Sequence, residues 1–185
     1  MIRNTRYYIA TGKTSNSNGA KMIFRITDKL AKKIKESPQK SLPPAESPYL
    51  DWTANLFCFN RVQYVIVSNT QSLYSIIMYA KGINDYSIFI NYVLSDMGNF
   101  MVEDGNEFIF SRLIAPNAKV ICFSKPEGKR VIGSMNNLIY LAESHLEENF
   151  SPHETACRIN KAPMGLLKYV QPCEAFKTML PFKLV

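Results

Sequence analysis

Between Trp52 and Ala80 the chain crowds three apolar, β-rich runs together: Trp52 to Asn60, Gln63 to Ser68 and Leu73 to Ala80. Their Val, Ile, Tyr and Phe content suits a pleated, buried surface. Asn60-Arg61 between the first two fits a tight reversal. An antiparallel meander is therefore expected, and everything else in the chain must pack around it.

The flanking segments add both kinds of element. Met22-Ile23-Phe24-Arg25-Ile26 reads as a strand and looks like a natural start for the fold. Thr27 or Asp28 can cap a following helix whose Leu30 and Ile34, one turn apart, face inward. Ser37 to Pro48 holds four prolines and reads as a loop. From Asp85, Phe89, Tyr92, Val93 and Met97 follow helical spacing, with Gly98 as the expected stop. Residues 99–115 fit helix or strand equally well. Lys119 to Ser124 reads as a strand, and Pro126-Glu127-Gly128 as a turn. Ser134 is the expected cap of a helix that lines up Met135, Leu138, Ile139, Ala142 and Leu146. Ser151-Pro152-His153-Glu154 has the signature of a capping box, with the helix running to about Lys161. The last twenty residues, with Pro172 and Pro181, read as an irregular tail packed by Leu, Phe and Tyr. The expectation is a single α+β domain over residues 22–185, a mainly antiparallel sheet of about five strands packed by about four helices. Residues 1–21 are expected to be a flexible extension.

Composition narrows the classes. Of 185 residues, 46% are hydrophobic and 20% charged, values of a globular chain long enough to bury a core. The N-terminal stretch lacks the apolar run of a secretory signal. The longest uncharged stretch, between Arg61 and Lys81, is too polar at Ser68-Asn69-Thr70-Gln71-Ser72 to be a membrane span. A soluble, cytoplasmic protein without membrane partners is expected. Cys58, Cys122, Cys157 and Cys173 form no CxxC pair and read as reduced thiols, the first two as small buried hydrophobes. His153 and Cys157 share a helix face at i,i+4, but no second ligand pair accompanies them, so no metal is expected and no cofactor either. Thr11-Gly12-Lys13-Thr14 resembles the end of a phosphate loop, yet Tyr7 stands where glycine is required and no strand precedes it. His145, among Glu143, Glu147 and Glu148, and His153 read as surface or cap residues, so a hydrolytic triad is not expected.

The net charge of +7 is concentrated at one end. Residues 1–41 carry ten Lys/Arg against two acids, a balance of +8, and the remainder twelve against thirteen. Such a bias suits a polyanion-binding patch as well as a solvated helix face with a loose tail.

Two strings mix polar and core residues. In Asp51-Trp52-Thr53-Ala54-Asn55-Leu56, alternation puts Trp52, Ala54 and Leu56 on one face and Asp51, Thr53 and Asn55 on the other. Trp52 then anchors the core, while Asp51 and Asn55 either satisfy loop backbone or form a polar site at a strand mouth. In Lys125 to Asn137, the cations Lys125, Lys129 and Arg130 precede Gly133, Ser134, Asn136 and Asn137. Cations beside a helix N-terminus favour an anion.

From Met22 to about Leu167 the chain resembles a family of short bacterial proteins classed as a domain of unknown function, DUF6933. The shared features are the opening strand and basic helix, the Asp-Trp-x-Ala-Asn-Leu string at Asp51–Leu56, and the Arg-x-x-Gly-Ser-Met-Asn string at Arg130–Asn136. The chain departs from that pattern at Thr53, where an aromatic is usual, and at Asn137, where the family has Asp. The resemblance implies a fold neighbourhood and no activity. The residues themselves point first to a binding or regulatory module for an anionic partner, with nucleic acid in view. An enzyme or toxin-like protein acting on nucleotides or nucleic acid would need Asp51, Asn55, Arg130, Ser134 and Asn136 to converge. A protein–protein adaptor would need an exposed apolar patch.

Overall fold

The computed structural model describes residues 21–38, 41–126 and 128–179; the expected extension of residues 1–21 lies, except for Lys21, outside them. Among the described residues, five strands form one mixed sheet in the order β4-β3-β2-β1-β5. They are β1 (Met22–Ile26), β2 (Asp51–Phe59), β3 (Val62–Asn69), β4 (Ser75–Tyr79) and β5 (Ile121–Ser124). β2, β3 and β4 make the antiparallel meander. Asn60 and Arg61 turn it with both residues at positive φ, the geometry a tight two-residue hairpin demands. β1 sits between β2 and β5 and is parallel to both.

Six α-helical segments among the described residues complete the α+β domain: α1 (Asp28–Ile34), α2 (Tyr86–Glu103), α3 (Glu107–Ile109), α4 (Lys129–Glu147), α5 (Pro152–Ile159) and α6 (Pro172–Lys177). The undecided stretch 99–115 is helical through most of its length, with α3 continuing as a π-turn over Phe110–Ile114. Among the described residues no helix is long and apolar enough to cross a membrane.

Three expectations are corrected. Gly98 does not stop α2; it lies inside it, because a Cβ there would meet Phe110 Cε1 at 2.9 Å and glycine alone leaves room for that ring. The C-terminal tail is not wholly irregular, since Phe176 draws α6 into the core. Cys58, paired with exposed Gln63 near the turn of the hairpin, is exposed, and Cys122 is half-buried, so neither is a buried thiol.

The two faces of the sheet differ in chemistry. One carries Phe24, Trp52, Ala54, Val67, Ile76 and Phe123, as the register dictates. Phe89 of α2 packs edge-on against Phe24 at 5.7 Å, and Phe176 of α6 lies 5.9 Å from Trp52 and stacks on Tyr74 at 4.4 Å. The opposite face holds a polar row that crosses all five strands in register: Ser75, Ser68, Thr53, Arg25 and Ser124. Every member is buried. Ser68 and Ser75 share a hydroxyl hydrogen bond at 2.6 Å, and Thr53 one with Thr70 at 2.9 Å.

Candidate functional site

The motif around Arg130 is built on α4, which starts at Lys129, five residues before the expected cap. Gly128, at φ 82°, takes the cap position without a side-chain bond. Ser134 is therefore not a cap. It lies one turn inside the helix on the buried side with Met135, Leu138, Ala142 and Leu146. The helix continues back through Gly133 because half-buried Val131 extends the same apolar stripe.

Helical spacing distributes the remaining motif residues on the other side. Lys129, Gly133, Asn136 and Tyr140 follow i, i+4, i+7, i+11, with Arg130 and Asn137 flanking them. All six are exposed, Tyr140 to 74%. Nothing lies within 4 Å of where a Gly133 Cβ would stand, so this stripe has a shallow gap between its cations and its amides. Lys125, in the preceding loop, is exposed too. Lys125, Lys129, Arg130, Asn136 and Asn137 form no side-chain hydrogen bond or ion pair with the described residues. Their polar groups face solvent while the structural work of the helix is done by the opposite side.

The Asp51 string is placed differently. Trp52 is fully buried on the apolar face and donates its indole N–H to the Tyr49 carbonyl at 2.8 Å. Asp51 is buried on the polar face and takes a bidentate pair from Arg25, Nε to Oδ1 at 2.7 Å and Nη2 to Oδ2 at 2.9 Å. Its Oδ2 also accepts the Ala45 N–H at 2.9 Å. Arg25 donates to the Leu42 and Pro43 carbonyls at 3.0 and 3.2 Å, and Leu42 N–H donates to Ser124 Oγ at 2.9 Å. The pair thus fastens segment 41–45 over the polar row. Asn55, half-buried, accepts from the Thr27 hydroxyl at 2.7 Å. The structure brings Asp51 together with Arg25 and Asn55 with Thr27, and the α4 residues with one another. Arg25 was missed by the sequence reading. The available signal was a guanidinium in the middle of an apolar strand, which cannot be buried without a carboxylate.

A separate cleft of about 340 Å³ lies between the β4 edge, α2 and the start of α5. Asp96, Asn99, Phe100 and Glu103 line it from α2, and Ser151, Pro152 and His153 from α5. Ser151 and Glu154 close the expected capping box. His153 Nε2 lies 2.9 Å from Glu103. The other histidine, His145, expected at an exposed surface or cap position, is half-buried, edge-on to Phe150. Among the described residues no group of three or more His, Cys, Asp or Glu gathers as a metal site.

Burial, the larger influence, pushes the Asp96 carboxyl above its ordinary range, and His153 opposes it. A carboxyl raised on folding holds its proton where the unfolded chain has lost it, so stability falls as pH rises from the ordinary carboxylate value through the raised one. Asp96→Asn is expected to remove that fall. Urea midpoints of both proteins followed upward from acid pH should diverge, the variant becoming relatively more stable; parallel profiles would show that burial does not govern this carboxyl.

Residues 23–175 match the model of the family described as "Domain of unknown function (DUF6933)", more than four-fifths of the chain. No curated protein and no solved structure matches.

Proposed function

The chain belongs to that family, DUF6933, and from this premise we propose that it is a non-enzymatic binding module which holds an anionic partner, the phosphate backbone of a nucleic acid, against the N-terminal half of α4. The observation that carries this reading is the separation of roles within one motif. Ser134 and Met135 pack inward, whereas Lys129, Arg130, Asn136 and Asn137 stand on the solvent side with no side-chain partner among the described residues. Cations give the attraction, amides can donate to phosphate oxygens, and free backbone N–H groups at the helix start add to both. Gly133 between them lets a backbone approach the helix closely. A catalytic use of the same strings is less well supported, because both oxygens of Asp51 are already taken by Arg25 and Ala45.

Fluorescence anisotropy of the full chain with short DNA and RNA, across a salt series, tests the reading. Affinity is expected to fall steeply with salt. In a Lys129→Gln, Arg130→Gln double variant the log–log slope should shrink by about 0.9 for each phosphate contact removed. Binding that ignores salt, or that both substitutions leave unchanged, would refute it. A version beginning at Met22 separates the contribution of the basic residues before it.

A further inference from the structure

Beyond the α4 surface, and independently of it, we infer that the cleft beside β4 is a docking site for a short extended peptide segment carrying a lysine or arginine. Three observations converge there. The first concerns main-chain direction. Asn160, at the end of α5, uses its side-chain amide as a neighbouring strand would, donating to the Ser75 carbonyl and accepting the Ser75 N–H, both at 2.8 Å. Ser75 therefore turns its main chain away from β3. On the β3 side, by contrast, Tyr74 accepts from Asn69 N–H and Ala80 N–H donates to Gln63. The two-residue period of a strand then points the N–H and C=O of Ile77 and Tyr79 outward as well. No described residue bonds them on that side.

The second observation is space. Asn160 occupies the Ser75 end of the edge, while the 340 Å³ cleft is lined by Ile76 to Tyr79 and by the first residues of α5. That volume is at the lower end of small-ligand sites, enough for a short stretch of chain and not for a folded domain. The third is charge. Asp96 and Glu103, two turns apart on one side of α2, give the cleft its carboxylates, and among the described residues no lysine or arginine lines it. Among the described residues, half-buried Asp96 has no ion pair or hydrogen bond, and Glu103 pairs with His153 alone. A strand added at Ile77 and Tyr79 satisfies the open main chain, and its alternate side chains select the sequence. Here the selection is for a cation, which Asp96 and Glu103 bind by charge-assisted hydrogen bonds.

The test is a titration of the isotope-labelled full chain with the acetylated, amidated tripeptide valine-lysine-valine, followed by amide NMR to millimolar peptide. The expected result is saturable movement of the Ile77 and Tyr79 amide signals. Replacing the lysine by glutamate should abolish binding, and N-methylation of the peptide amides should abolish it as well. Asp96→Asn, a half-exposed change that leaves the core intact, should weaken the lysine peptide about tenfold. Four results would overturn the inference: no movement at Ile77 and Tyr79, equal binding of the glutamate peptide, equal binding of the N-methylated peptide, or equal binding of a free alkylamine in place of the peptide.

Discussion

Arg25→Met is expected to lower the free energy of unfolding by about 3–5 kcal/mol, the usual consequence of removing one member of a buried ion pair. The loss has two sources. Asp51 would be left as an uncompensated charge at 5% exposure, and the carbonyls of Leu42 and Pro43 would lose their donors. A double replacement, Arg25→Met with Asp51→Leu, should recover a large part of the loss, because the desolvation cost of both charges then disappears. Chemical denaturation of the two variants beside the parent decides the matter. A loss below about 1 kcal/mol for the single variant, the level of a solvent-screened pair, would mean that the pair does not fasten segment 41–45.

The second large effect is expected at the C-terminal end. Phe176→Ala should cost about 3–5 kcal/mol, in the range for truncating a buried phenylalanine. The Phe176 ring is fully buried and touches three aromatic rings: Tyr49 at 5.3 Å, Trp52 at 5.9 Å and Tyr74 at 4.4 Å. Without it, α6, six residues long and too short to persist alone, keeps buried Pro172 and its main-chain bonds to Tyr49 and Asn160 but loses its largest buried side chain. The chain's single tryptophan, Trp52, reports the change directly. Its emission should shift to the red in the variant under native conditions as water reaches the vacated space. Unchanged stability and emission would show that α6 is an accessory to the core and not part of it.

Much of the fold was readable from short-range patterns. The meander declared itself through its apolar, β-rich runs and the Asn60-Arg61 reversal, and α5 through its capping box. Where reading failed, the deciding contact lay far along the chain. Gly98 carries the usual mark of a helix end, and the ring that gives it a different purpose, Phe110, belongs to a later turn. Gly133-Ser134 likewise looks like a break followed by a cap, although Val131 on one side and Met135 on the other already share a stripe. The start of α4 was set by Gly128, whose positive φ the sequence cannot display. The candidate site was legible in part. The motif around Arg130 stood out by composition, but only the helix start at Lys129 shows which of its residues face solvent. Arg25 could be suspected from its apolar neighbours, yet its partner follows from the parallel alignment of β1 with β2. The β4 cleft left no sequence signal, since strand, α2 and α5 contribute to it from three separate stretches.

The polar row from Ser75 to Ser124 has a consequence for how the chain avoids competing structures. Hydrophobic strands of this kind can slide past one another with little penalty, and near-equivalent arrangements then populate together. Moving β1 by one position against β2 would drive the Arg25 guanidinium among Phe89, Trp52 and Phe176. Moving it by two towards Asn55 would keep it on its own side but separate it from Asp51. Either displacement strands a charge in the interior, so the mistaken arrangements lie well above the native one. The row thus acts against wrong answers more than it strengthens the right one, and it widens the energy gap that lets a small, apolar sheet settle into a single state.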